Sequence, residues 1–275
     1  IVSADSRQVY RRMDIGTAKP SPSDRARVAH HLIDILDPDN EYSLAAFLRL
    51  ANEAIKAIHK RGRFPIVVGG TGQYMTALLE GWQVPEVPPD TSLRQLLEQR
   101  AKDEGGNKLF EELTQLDPAA AARIDKRNVR RVIRALEIRQ SETGQGAVTK
   151  TPPPFATLLV GLTLPRAELY QRIDERVDMM LVAGWLREVE MLVGMGYGPE
   201  LPSMSSLGYQ ELVGVVADDW PLEQAAARIK TRTHRFARQQ YAWFRLNDPR
   251  IRWHRADKQG FEAALAEARE YLRKA

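Results

Sequence analysis

The chain has 275 residues, 43% hydrophobic and 28% charged, with a formal net charge of +4. That length buries a full core in one large domain or two smaller ones, and the composition is that of a globular protein in water. The absence of cysteine excludes disulfides, thiolate zinc sites and cysteine nucleophiles, and no apolar run approaches the roughly 20 residues that cross a bilayer.

Ile1-Val2-Ser3-Ala4-Asp5 reads as the end of a buried strand running into a loop. Gly16, Pro20 and Pro22 make the stretch 11–22 irregular. Ser43 reads as a helix N-cap, with Leu44, Phe47, Leu48, Ala51 and Ile55 at helical spacing until Gly62 stops the helix. The continuous apolar run 64–68 suits a strand covered on both faces. It breaks into Gly69-Gly70-Thr71-Gly72, and a helix is expected from about Gln73. Strand, helix, strand, glycine turn and helix predict an α/β sandwich around a parallel sheet.

Pro85, Pro88 and Pro89 then form a stiff connector. From 92 to about 141 the periodicity is helical, with no recognisable strand. A second connector spans 144–154, and 157–164 reads as another buried strand. A helical stretch between two strands and between proline-rich joints predicts an insertion. The expected division is an α/β core of 1–88 and 151–275 and a helical insertion of 89–150. Amphipathic helices are expected near 166–182, 186–195, 206–216 and 222–246. With no signal segment, the cytosol is the expected compartment, and a monomer is the default state.

Two basic clusters stand out. Arg123, Lys126, Arg127, Arg130, Arg131, Arg134 and Arg139 form one. Arg228, Lys230, Arg232, Arg235, Arg238 and Arg245 form the other. Each alone fits a solvated helix face, and the two together suit a phosphate backbone better.

In an open parallel sheet, ligands collect beyond the carboxyl ends of the strands, so Asp5 is either a turn cap or a group aimed at a ligand. Ser6 and Gln8 add hydrogen-bonding groups, and Gln can pair with two adjacent sites on an adenine edge. The glycine turn either closes a tight connection or exposes amides to an anion; no Gly-Lys-Ser/Thr follows it, so it is not a Walker A loop. Asp14, Lys19 and His31 are polar residues of the same loop region. His30 and His31 lack the neighbours of a metal site and read as structural. Glu137, with Arg134 and Gln140 at neighbouring turns, reads as an intrahelical ion pair.

Several motifs occur in order: Asp5-Ser6-Arg7-Gln8-Val9-Tyr10, Met13-Asp14-Ile15-Gly16-Thr17-Ala18-Lys19-Pro20, His30-His31-Leu32-Ile33-Asp34 and Val68-Gly69-Gly70-Thr71-Gly72-Gln73-Tyr74. Asn128-Val129-Arg130-Arg131-Val132-Ile133-Arg134-Ala135-Leu136-Glu137, Leu207-Gly208-Tyr209-Gln210-Glu211 and Phe236-Ala237-Arg238-Gln239-Gln240-Tyr241-Ala242-Trp243-Phe244-Arg245 follow. Over essentially the whole chain this series resembles the tRNA dimethylallyltransferases, or tRNA isopentenyltransferases, of the IPP transferase family.

The resemblance implies a P-loop-NTPase-like parallel sheet core with an all-helical insertion domain and C-terminal helices. It implies transfer of a dimethylallyl group from dimethylallyl diphosphate to N6 of the adenosine 3′ to the anticodon, with Asp5 as the catalytic base. Ser6, Arg7, Gln8 and Thr71 would lie where the tRNA base binds. The insertion would grip the anticodon stem-loop through Arg94 and the stretch Arg130, Arg131, Val132, Ile133 and Arg134. Further tRNA contacts are implied at Ser205, Ser206, Leu207, Gly208, Tyr209 and Gln210, and at Arg238, Gln239, Gln240, Trp243 and Arg245.

Two departures from the family pattern shape further expectations. The family carries a phosphate-binding loop ahead of the strand that ends at Asp5, whose Lys and Ser/Thr bind the diphosphate and its Mg2+. The sequence opens at that strand, so as written it is expected to bind the donor poorly and to hold no metal ligand. Arg232 and Arg235 are then the candidate diphosphate cations. In the late basic motif, Ala237-Arg238-Gln239-Gln240 stands where Ala-Lys-Arg-Gln is usual, and His234 where arginine is frequent. The alternatives are an adenylate isopentenyltransferase acting on free AMP or ATP, which needs no tRNA grip, and an RNA-binding chain without turnover.

Overall fold

The computed structural model describes residues 1–84, 87, 90–141 and 149–274. The chain divides into two compact units, Ile1–Gly81 with Pro152–Ala275, and Trp82–Thr151. The expected connector prolines 85, 88 and 89, and most of the glycine-rich start of the second connector, 144–148, lie outside the described residues.

The first unit begins with β1 (Val2–Ser3), α1 (Pro22–Arg27), α2 (Leu44–Lys60), β2 (Val67–Val68) and α3 (Gly72–Leu79). Ser43 caps α2 by accepting from the Ala46 amide at 3.1 Å, which satisfies one of the first-turn donors. Phe47, Ala51, Ile55 and Ile58 lie on its buried face. β1 runs parallel to β2, with Val2 opposite Val67 and Ser3 opposite Val68, and His31 bridges Val2 in parallel. The run 64–68 is not the doubly covered strand its apolarity predicts. Only two of its residues form a strand, and Phe64, Ile66 and Val68 are 59%, 60% and 54% exposed. Among the described residues β1 is its one strand partner, so nothing described covers its other edge.

The second unit holds β3 (Trp82–Gln83), α4 (Thr91–Asp103), α5 (Gly106–Leu116), α6 (Pro118–Ala121), α7 (Val129–Gln140) and β4 (Thr149–Lys150). β3 and β4 pair antiparallel, Trp82 opposite Lys150; two-residue strands leave no periodicity to read. Leu97, Leu109, Leu113, Val132, Ile133 and Leu136 pack together as the core. Glu137 is also buried, at 2% exposure. It accepts the Asp90 amide at 2.6 Å and pairs with Arg94 Nε at 3.0 Å and with Arg134. The intrahelical pair read from the sequence is thus one part of a hub that ties α7 to the start of α4.

The first unit resumes with β5 (Leu159–Thr163), α8 (Arg166–Val182), α9 (Trp185–Gly194), a 3-10 turn at Ser203–Ser205, α10 (Tyr209–Val216), α11 (Leu222–Trp243), β6 (Ile251–Arg255) and α12 (Lys258–Lys274). β5 and β6 pair in parallel from Leu159–Ile251 to Thr163–Arg255. Val160 and Leu162 are exposed, so β5 is not the buried strand expected either. The parallel sheet is present as two separate strand pairs among the described residues. Behind them Val9, Met13, Trp185, Leu192, Tyr209 and Ile229 form a buried core. No helix of the described residues is long and apolar enough to cross a membrane.

The Glu137 hub makes the helical unit acid-sensitive. Burial opposes ionisation, but bonds from Arg134, the Asp90 amide and Arg94 outweigh it and hold the carboxyl below its ordinary value of 4.5. A depressed folded pKa contributes stability that is complete above 4.5 and lost as pH falls through the folded value. Glu137→Gln should therefore flatten the loss of stability below pH 4.5. Glu137→Ala should cost about 2–3 kcal/mol at neutral pH, because the two arginines are partly exposed and can rehydrate. Chemical denaturation across pH checks both.

Candidate functional site

The carboxyl end of β1 is pinned before the loop begins. Ala4 N donates to Val68 O at 2.7 Å and Ser3 N to His31 O at 3.0 Å. One residue on, Asp5 Oδ1 accepts the amides of Arg7 at 2.7 Å and Gln8 at 3.4 Å. Asp5 is therefore a turn cap, and at the same time a carboxylate with capacity to spare. No described hydrogen bond uses Oδ2, and an ionised carboxylate has about four acceptor positions. The side chain is only partly buried.

The glycine turn packs against this loop for reasons of space. A Cβ on Gly69 would lie 2.4 Å from the Ala4 carbonyl, and one on Gly72 2.1 Å from Trp243 Cγ. Gln240 Nε2 donates to Gly70 O at 3.1 Å, so Gln240 and Trp243 brace the turn from α11. Close backbone packing thus explains glycines 69 and 72. Thr71 does not cap α3 with its side chain. Its Oγ1 instead accepts the Ser6 amide at 3.1 Å, leaving its own hydroxyl proton available to donate. Thr71 is thus bonded to the residue that follows Asp5.

Gln8 and Arg7 are engaged within the protein. Gln8 Nε2 donates to the carbonyls of Thr17 and Ala18, each at 3.2 Å, and Oε1 accepts from Ser3 Oγ at 3.1 Å. Both amide protons are used, so in this arrangement Gln8 fixes the loop and cannot present a donor–acceptor pair to an adenine. Arg7 reaches Pro202 O at 2.6 Å and Ser205 Oγ at 3.2 Å, drawing the 202–205 segment to the Asp5 loop. Lys19 is buried, its ammonium bonded to Tyr10 O at 2.6 Å, Asp14 at 2.7 Å and Asp34 at 2.5 Å. His31 serves β1 through its backbone, and the His30 ring lies 2.7 Å from Val28 O.

The late segments separate into exposed and buried residues. Ser205, Gln210, Arg235, Arg238, Gln239, Trp243 and Arg245 are exposed, and Leu207 is half-buried. Ser206, Gly208 and Tyr209 are buried. Tyr209 is wholly inaccessible and donates its hydroxyl to Glu188 Oε1 at 2.6 Å. Burial, followed by the Glu188 charge, pushes its pKa up, so it remains a donor. Arg232 pairs with buried Glu211 but keeps further N–H groups for an anion. Arg238 donates to the Tyr170 hydroxyl, and His234 stacks on the Tyr170 ring at 4.1 Å.

In the helical unit, Arg130 and Arg131 are exposed with no partner among the described residues, whereas Arg94 and Arg134 are committed to Glu137. Val132 and Ile133 are buried in the unit's core, so their side chains do not face RNA. A stretch contiguous in sequence thus points to several sides of a helix.

Sequence reading missed Glu188. It is buried on α9 and accepts the amides of Asp14 at 2.8 Å, Ile15 at 2.7 Å and Gly16 at 3.2 Å. Its partners are 172–174 residues away, and no local pattern signals them.

A parallel strand pair with a carboxylate and a glycine turn at its carboxyl end, braced by a basic helix, is an α/β arrangement of the kind that commonly holds ligands at that edge. The sequence model of the family described as IPP transferase matches residues 8–247, and the chain belongs to that family. It is similar to a tRNA dimethylallyltransferase of Thermomicrobium roseum, with 50% identity over 270 residues, 97% of this chain and 82% of the relative. It is 52% identical to one of a Roseiflexus species over 248 residues, 89% of this chain and 81% of the relative. Among solved structures it resembles the full-length tRNA isopentenylpyrophosphate transferase of Bacillus halodurans at 37% identity and TM-score 0.66, over 100% of this chain and 90% of that one. A eukaryotic dimethylallyltransferase acting on tRNA matches at 27% identity and TM-score 0.80, covering 99% and 73%.

The close approach at Gly69 yields a direct test. Gly69→Ala must push β2 away from Ala4, since a backbone atom cannot swing aside. The expected loss is about 1–3 kcal/mol, read as a lowered melting temperature; an unchanged one refutes the close approach.

Proposed function

We propose that this chain transfers a dimethylallyl group from dimethylallyl diphosphate to N6 of the adenosine 3′ to the anticodon of tRNA. The observation that carries the reading is the Asp5 carboxylate, held by one oxygen and open at the other, beside Thr71. Family membership and the tRNA dimethylallyltransferases it resembles support it.

Adenine's amino group is a weak nucleophile because its lone pair is delocalised into the ring. As N6 attacks the donor's C1, the C1–O bond to diphosphate breaks, the N6–C1 bond forms and the N6 proton passes to Asp5. In this reading the Thr71 hydroxyl, which keeps its own proton and a second lone pair, helps to orient the base. The target base has to leave its stack, at a cost of a few kcal/mol that is smaller in a loop than in a duplex. Diphosphate departs with growing negative charge, which favours cations and amides around it. Arg232 and Arg235 are the chain's candidates for that role. Magnesium is expected with the diphosphate, but the described residues include no group of three or more His, Asp or Glu that could hold it. Cytosolic location and a monomeric state belong to the same proposal.

The exposed Arg130 and Arg131, with Arg235, Arg238 and Arg245 on the α11 side, suit tRNA better than free AMP. The deciding experiment supplies labelled donor with either tRNA or AMP, in a protein carrying the family's phosphate-binding segment ahead of Ile1. Label in tRNA is expected; label in AMP alone, or in neither, overturns the proposal. In that protein Asp5→Ala should lower turnover about 10²–10⁴-fold, the usual contribution of a positioned base, with tRNA affinity almost unchanged. Wild-type turnover would remove the base role.

Arg130→Ala with Arg131→Ala should weaken tRNA binding and reduce the slope of log K against log salt by about 1.4–1.8, since each phosphate contact contributes about 0.7–0.9. A filter-binding series between low and physiological salt reads the slope, and an unchanged slope returns both residues to a solvated helix face.

A further inference from the structure

We infer that Glu188 is a positioning residue for the Asp5 loop, acting from α9 through the backbone of residues 14–18; the inference rests on the functional reading of Asp5 above. Its carboxylate is 8% exposed and has no arginine or lysine partner among the described residues. Oε2 accepts the Asp14 and Ile15 amides at 2.8 and 2.7 Å, and Oε1 accepts the Gly16 amide at 3.2 Å and the Tyr209 hydroxyl at 2.6 Å. A buried anion is tolerated only when its lone pairs are satisfied, and here the loop itself provides three of the four donors.

The consequence of this anchor lies one and two residues further on. The carbonyls of Thr17 and Ala18 each accept from Gln8 Nε2 at 3.2 Å. Gln8 Oε1 in turn accepts from Ser3 Oγ at 3.1 Å, and Ser3 Oγ accepts the Asp5 amide at 3.4 Å. Hydrogen bonds joined through the backbone of residues 14–18 therefore connect Glu188 to the backbone of the proposed base. Ala18 adopts φ +50°, a left-handed conformation that a non-glycine residue keeps only where its surroundings impose it. Packing closes the same joint. Trp185 lies so near both Gly16 and Gly208 that a Cβ on either would approach its ring to 2.1 Å. A shift towards α9 is blocked by Trp185, and the three loop amides bonded to Glu188 hold the loop from moving away.

A purely structural carboxylate would affect folding alone, so the test needs readouts that separate position from stability. Glu188→Gln preserves shape but turns an N–H towards the loop amides. In the protein used for the tRNA assay, kcat should fall about 10–100-fold, because a displacement of about 1 Å at a reacting group costs that much. KM for tRNA should stay within about twofold. Hydrogen exchange of the chain itself should show faster exchange at Asp14, Ile15 and Gly16. It should also be faster at Arg7 and Gln8, whose amides bond to Asp5. Loss of protection confined to 14–16 with wild-type kcat overturns the inference while leaving the prenyl-transfer reading intact. If the parent protein transfers no prenyl group, that reading fails, and the exchange pattern alone then decides whether Glu188 positions the loop. Should Glu188→Gln not fold, Tyr209→Phe removes one of the four donors and keeps the carboxylate. A several-fold drop in kcat with unchanged KM is then expected, and a wild-type kcat overturns the inference.

Discussion

A carboxylate proposed to accept a proton has to be fixed without being used up, and the bonds around Asp5 meet that requirement. One oxygen is spent on the Arg7 and Gln8 amides, which sets the direction of the other. Pinning of Ala4 to Val68 places the turn at the end of β1, and Thr71 attaches the glycine turn to Ser6. Most polar side chains of the Asp5–Gln8 loop are consequently engaged within the protein. Organisation that is complete before substrate arrives avoids reorganisation during the reaction, and electrostatic catalysis depends on this.

Each basic cluster mixes two physically different kinds of arginine that look alike in the sequence. Arg94, Arg134 and Arg232 each pair with a carboxylate that is almost fully buried, Glu137 or Glu211. These arginines support local structure, and removing one would strand a buried charge. Arg130, Arg131 and Arg235 have no such commitment among the described residues and lie exposed. They are the ones whose charge is at the disposal of a phosphate backbone. Cluster density in a sequence cannot make this distinction, because it depends on which acids the fold buries.

What was legible followed from local rules. The Ser43 cap, the long helix after it, the glycine turn and the position of Asp5 past a strand all depend on residues within a few positions of one another. Strand burial was misjudged at 64–68 and at β5, because apolarity reports a preference for cover and not whether a neighbouring strand provides it. β6 and α12 were missed since Ile251-Arg252-Trp253-His254-Arg255 lacks clean alternation. At the candidate site, the ordered motifs pointed to segments of the chain but not to the direction of each side chain. Tyr209, Val132 and Ile133 are buried although their neighbours Gln210 and Arg131 face solvent, a difference set by helical phase and packing.

Glu137, Glu188 and Glu211 share a pattern that explains why acids occupy such buried positions. Each lies on a helix and accepts at least one backbone amide from outside the regular part of a helix: Asp90, the 14–16 stretch and Gly208 respectively. Loop amides inside a protein need acceptors, and a helix has no spare carbonyls along its length to offer them. A glutamate reaching from a packed helix supplies two oxygens on a long stem, so it can hold several donors of an irregular segment against a rigid element. An apolar residue of similar volume would pack as well but leave those amides unpaired, at about 1–3 kcal/mol each. The irregular segments anchored in this way include the one that holds Gln8, so the rigidity of the Asp5 loop comes from helices distant in sequence.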